Sequence, residues 1–146
     1  VTADALDRLH VEMARCPFHD VLRPEGIRAG DGMVVVRLPF RPEFRLAADG
    51  DCFHGGVLAA LVDITAHATV AVQTGHVSPT VDLRLDYLRA ARGDAMTATG
   101  RVLRVGRSIA RADVEVRDPS GAVVVAGRGT FSTLRVGHGS ETEGTV

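Results

Sequence analysis

One stretch constrains the chain more than any other: His54-Gly55-Gly56, then a largely apolar run from Val57 to Val72. The run contains neither Pro nor Gly, and its apolar residues fall on every side of a helical wheel. It therefore predicts a helix buried all round rather than an amphipathic surface helix. At about 16 residues it is short for a bilayer span. Its one charged side chain is Asp63. A carboxylate on a buried helix is costly unless it is hydrogen-bonded or has a chemical task. Two glycines at the helix start let backbone approach a ligand closely and leave N–H groups pointing outward, where they favour negative charge. An anion-stabilising helix end and a lone carboxylate on the same helix are the parts that acyl transfer needs.

The rest of the chain suggests what surrounds this helix. Thr2 is placed to cap a short helix carrying Leu6, Leu9 and Met13 on one face and stopped before Pro17. Residues 17–32 are interrupted by Pro17, Pro24, Gly26, Gly30 and Gly32, and are expected to be irregular. Met33 to Leu38 reads as a strand ended by Pro39 and Pro42. A polar loop, Arg45 to Phe53, leads into the long helix, which Gly75 ends. Four strands follow. Thr80 to Arg89 alternates Val81, Leu83, Leu85 and Tyr87 with Asp82, Arg84, Asp86 and Leu88, a pattern for a sheet with one buried face. Ala95 to Val105 turns at Gly106 into Ser108 to Arg117. After the turn Asp118-Pro119-Ser120-Gly121, Ala122 to Thr133 closes the sheet, where Gly127 and Gly129 suggest close backbone approach or a bulge. The expected class is α+β: a curved antiparallel sheet wrapped around one long helix, with a short N-terminal helix. Residues 1–134 form one domain, and 135–146 are expected to be a disordered tail.

Composition narrows the function classes. A net charge of −1 gives no reason to expect nucleic acid or an anionic membrane as partner. All 17 basic residues are Arg, which supplies rigid forks for phosphate. Thr2 to Arg15 is charged and amphipathic, unlike a signal peptide. Cys16 and Cys52 form no metal or disulfide pattern, which fits a reducing cytoplasm.

His-Gly-Gly followed by a carboxylate nine residues after the His, on a helix apolar on all sides with four strands after it, resembles the hot-dog-fold thioesterases. The resemblance runs over roughly residues 20–133 and is nearest to the branch containing the phenylacetate-pathway and 4-hydroxybenzoyl-CoA thioesterases. It implies an acyl-CoA hydrolase that needs no metal or cofactor, coenzyme A being part of the substrate. It also implies homodimers, often paired into tetramers, with sites at the dimer interface. A non-catalytic acyl-CoA-binding hot-dog module is the alternative.

The resemblance also suggests roles. Asp63 would be general base or nucleophile toward a thioester, against a structural reading as a buried hydrogen-bonding group. The Gly55 N–H would polarise the thioester carbonyl, with Gly56 beside it on the substrate. His54 is either a general acid or only a helix-start hydrogen-bonding residue, and the resemblance implies that it mostly shapes and positions the site. His67 lies one turn after Asp63 and is either a core histidine or a group that orients Asp63 or lines the acyl pocket. Thr80 is either an ordinary strand residue or a holder of the water or carboxylate. Relatives carry Asn or Gln six residues before the His. Here that position is Ala48, and Asp51 is the nearest substitute. Cys52 reads as a small loop filler rather than a nucleophile. Of the arginines at strand ends, Arg89, Arg92, Arg104 and Arg107, the pair Arg89 and Arg107 is preferred for coenzyme A phosphates. Ser108 belongs to the same turn as Arg107.

Overall fold

The computed structural model describes residues 3–134, so the expected tail and the capping role of Thr2 lie outside the described residues. Helices α1 (Ala3–Ala14) and α2 (Pro17–Leu22) precede strands β1 (Glu25–Gly30) and β2 (Met33–Pro39). A 3-10 turn, Pro42–Phe44, leads towards α3 (Gly55–Thr74). Strands β3 (Thr80–Tyr87), β4 (Ala95–Val105), β5 (Ile109–Arg117) and β6 (Val123–Ser132) follow. They form one antiparallel sheet in the order β1-β2-β4-β5-β6-β3.

Helix α3 packs across one face of this sheet. The alternation of β5 turns Ala110, Ala112, Val114 and Val116 inward, where they are almost fully buried with Val34, Val36 and Leu38 of β2 and Met96 and Ala98 of β4. The opposite face is charged. The registers set Arg84 against Arg128, Arg128 against Asp113 and Asp113 against Arg101 across four strands.

Three expectations need correction. Residues 17–32 are not irregular: they contain α2 and β1, so two strands precede the long helix. The chain reverses at Asp31-Gly32, both left-handed at φ 52° and 70°, a two-residue hairpin turn. Gly26 is not a breaker either. A Cβ there would lie 2.9 Å from Leu9 Cγ, so its missing side chain is what lets α1 rest on β1.

Second, α3 has 20 residues, and by length and composition alone it is long enough to cross a membrane. Its own sheet covers it instead: Leu61, Val62, Ala66, Ala68 and Val70 are fully buried.

Third, the burial is not all round. Gly56, Ala59, Ala60, Asp63 and His67 form a partly open stripe down α3. This stripe goes with β3, an edge strand. Of its alternating apolar residues, expected to be buried, Leu83 and Leu85 pack partly against the core, whereas Val81 and Tyr87 at the ends stay 61% and 54% exposed among the described residues.

Candidate active site

The start of α3 is built by the residue before it. His54 has extended backbone (φ −65°, ψ 137°) and caps the helix, its Nδ1 accepting from the Gly56 N–H at 3.0 Å. The His54 carbonyl accepts from the Val57 and Leu58 N–H groups. That leaves the Gly55 N–H, at the first helical position, as a first-turn donor with no acceptor among the described residues. On the other side, the Gly55 carbonyl accepts from Tyr87 Oη at 2.9 Å. Tyr87 is the only tyrosine in the chain, and its place in the alternation of β3 marks it in the sequence only as a strand residue. The phenol ring also lies about 3.5 Å from where a Gly55 Cβ would be, so it covers one side of the glycine.

Asp63 is half-buried on the open stripe, not sequestered in the core. It accepts from Thr80 Oγ1 at 3.1 Å, so the first residue of β3 holds the carboxylate. The two ends of β3 therefore grip α3 at two points, Thr80 at Asp63 and Tyr87 at Gly55. Along the helix, eight residues separate those points by about 12 Å.

His67 does not orient Asp63 by a hydrogen bond. Its Nε2 accepts from the Ser78 N–H at 3.4 Å, which places the proton on Nδ1, 3.5 Å from Glu12 Oε2 of α1. The ring also meets Phe131 edge-on at 5.8 Å. Burial lowers the His67 pKa from the ordinary 6.5, only partly opposed by Glu12, so the imidazole is neutral. It joins α1 to α3. Glu12 is 55 places from His67 in the chain, which is why the sequence carries no local sign of this pair.

Asp51 is an exposed residue of the loop before α3 and forms an ion pair with Arg92. That loop is less polar than expected at its end, since Cys52 and Phe53 are buried in it. Arg89 and Arg107 are far apart within the chain. The Arg89 N–H is bonded to the Val124 carbonyl at the start of β6, whereas Thr133, just past the end of β6, bonds Ser108 and Gly106 beside Arg107. Around Arg107, the β4–β5 hairpin forms a cleft of about 400 Å3 lined by Arg104, Ser108 and Arg111 as well. Arg104 and Arg111 are directly opposed across the strands, and neither has an acidic partner among the described residues. Opposed like charges destabilise a strand pair and favour an anion between them. Among the described residues, no cluster of His, Cys, Asp or Glu is arranged to hold a metal ion.

A model of the thioesterase superfamily matches residues 51–125, from the loop before α3 into β6. The chain belongs to the thioesterase superfamily. The match takes in Gly55, Asp63, Thr80 and Tyr87. Among curated relatives, the "Putative esterase VNG_1336C" of Halobacterium salinarum is 32% identical over 73% of this chain and 78% of its own. The "Medium/long-chain acyl-CoA thioesterase YigI" of Escherichia coli is 33% identical over 53% of this chain and 60% of its own. Among solved structures, an X-ray structure of a protein from the thioesterase superfamily superposes with a TM-score of 0.86 at 33% identity, covering 91% of this chain and all (100%) of that one. The E. coli PaaI protein of the phenylacetic acid degradation operon superposes at 0.80 with 22% identity over 90% of this chain and 94% of its own, a likeness of fold alone. These neighbours bear out the hot-dog architecture expected from the sequence.

Proposed function

We propose that the protein hydrolyses acyl-CoA thioesters to a free carboxylic acid and coenzyme A, with each active site shared between two chains. The observation that carries this reading is the pair of open groups on α3, the unpartnered Gly55 N–H and the Thr80-held Asp63 carboxylate. The Gly55 N–H would bind the carbonyl oxygen, where negative charge grows as the tetrahedral species forms. Asp63 would take a proton from the attacking water or attack the carbonyl carbon itself. In either case the C–S bond breaks, its electron pair leaves on sulfur, and the thiolate takes up a proton; where Asp63 is the nucleophile, the aspartyl–acyl anhydride so formed is then hydrolysed by water to the free acid and the restored carboxylate. Family membership and the E. coli relative named as an acyl-CoA thioesterase support the reaction class. Placement in the phenylacetate-pathway branch is part of the same proposal.

Both groups must lie within a few Å of one carbonyl, and about 12 Å of helix separates them in one chain. Edge strand β3 offers the solution. Antiparallel pairing with a second copy, centred on Arg84 and with the irregularity between Thr80 and Asp82 retained, sets Thr80 of each chain opposite the partner's Tyr87. Asp63, held by Thr80, then comes to the partner's Gly55, beside that Tyr87, and two equivalent sites result. The same operation brings Arg89 towards the partner's Arg107 hairpin. The arginines separated within one chain would then converge on one coenzyme A, its phosphates lying on Arg104, Arg107 and Arg111.

The test is thiol release from a panel of acyl-CoAs by the protein and its Asp63→Asn variant. The amide is nearly isosteric but is neither base nor nucleophile. Turnover should vanish while coenzyme A affinity stays within a few-fold. Wild-type turnover in the variant refutes the mechanism, and binding without turnover by the unmodified protein identifies an acyl-CoA-binding module.

A further inference from the structure

A cavity of about 530 Å3 opens beside the start of α3. Its apolar wall comes from Phe18, Val21 and Leu22 of α2, from Phe44, and from Val57 and Ala60 of α3. It is continuous with the helix start, because His54 and Gly56 line it too. We infer that this cavity receives the acyl group of the substrate, and that it selects an apolar acyl chain of medium length. This rests on the reading of the Gly55 N–H as the carbonyl-binding donor.

A carbonyl bonded to that N–H has its acyl carbon beside Gly56, at the mouth of the cavity. The size lies in the range of small-molecule pockets, roughly 300–1000 Å3. A two-carbon acyl group would leave the apolar wall uncovered. Two further features fit an apolar occupant. Phe18 and Val21 are 51% and 62% exposed although they flank the opening, so the described residues leave them without a cover. The charged groups, Asp20, Arg23, Arg41 and Glu43, are two of each sign, so the cavity carries no net field to attract a charged acyl end. Arg41 is moreover held in place, its guanidinium 4.3 Å over the Phe44 ring and bonded to the Val21 carbonyl. The cavity is finite and opens to solvent past Phe18 and Val21, so methylenes beyond its length return to water and add nothing.

The experiment measures kcat/KM for butyryl-, octanoyl- and palmitoyl-CoA. Each methylene buried should raise kcat/KM about fourfold, giving octanoyl, four methylenes longer, roughly a 250-fold advantage over butyryl and palmitoyl no further gain. Ala60→Phe fills the cavity from α3 and should cut the octanoyl-to-butyryl ratio at least about tenfold. Phe18→Ala, at a half-exposed position that threatens the fold little, should cut it several-fold. A ratio unchanged in both folded variants overturns the inference. So does a change in association state at an unchanged ratio, because the cavity is then filled by a second copy. If no acyl-CoA is cleaved at all, the hydrolase reading fails separately. The cavity is then judged by calorimetry, in which Ala60→Phe should weaken octanoyl-CoA more than butyryl-CoA, and equal affinities overturn the inference.

Discussion

Thr80 and Asp63 lie 17 residues apart in the chain, and Thr80 Oγ1 donates to Asp63 Oδ1 at 3.1 Å. The bond ties the first residue of an edge strand to the middle of the central helix. It sets the direction of the carboxylate before any substrate arrives. A hydrogen bond to a charged group contributes about 1.5–3 kcal/mol. Thr80→Val, which keeps shape and loses the donor, should therefore lower kcat about ten- to a hundredfold with KM little changed. Steady-state kinetics on one good substrate measures both, and an unchanged kcat would show Thr80 to be only a strand residue.

Subunit complementation tests the shared site. Gly55 is the first residue of α3, where proline is tolerated, and His54 before it already has the extended backbone that a following proline requires. Gly55→Pro thus removes the donor N–H with little disturbance of the helix. Mixed with Asp63→Ala, each dead alone, random pairing at equal amounts should restore about a quarter of wild-type activity. Half of the dimers would then carry one intact site. Failure to recover after proven exchange would place both groups in one chain's site, or remove Gly55 from the mechanism.

The hairpin arginines give a separable effect. Arg107→Ala should raise KM for acyl-CoA and weaken its dependence on salt. A short acyl-pantetheine, lacking the nucleotide, should be hydrolysed nearly as by wild type. Equal losses on both substrates would mean a folding defect rather than a lost phosphate contact.

His67 makes stability depend on pH. Burial holds its pKa below the ordinary 6.5, with Glu12, Arg15, Asp63 and His19 as the charged or titratable groups around it. As pH falls through 6.5, the unfolded chain takes up a proton that the folded chain refuses, so stability declines from there down to the folded pKa. Urea unfolding between about pH 7 and 5 should show a larger loss for wild type than for His67→Gln. Parallel losses would assign the effect to other groups.

Close packing of β6 on α3 predicts a costly alanine. A Cβ on Gly127 would lie 2.6 Å from Val62 Cγ1 and 3.1 Å from the Arg84 carbonyl oxygen, and Val62 is fully buried. Gly127→Ala should cost about 1–3 kcal/mol, read as a lower melting temperature. An unchanged Tm would mean that the helix can shift away at no expense.

Much of this was legible in the chain because it is encoded by neighbours. The long helix follows from a largely apolar run, its end from Gly75, and β5 from strict alternation, since these signals need only the local backbone period. The Asp31-Gly32 turn was equally local, and β1 went unread because Gly26 looks like a breaker until Leu9 is seen lying on it. The His-Gly-Gly start and the carboxylate on the same helix were also visible, because both belong to one element. Tertiary structure alone decided the rest. Sheet order left β3 on an edge and opened the stripe around Asp63, joined His67 to Glu12 of another helix, and put Tyr87 over Gly55. It also separated Arg89 from Arg107, and it made a cavity from α2, Phe44 and the first turns of α3. Contacts of this kind depend on which strands become neighbours. That choice is made by the burial of the whole set of apolar faces at once, not by the period of any one segment.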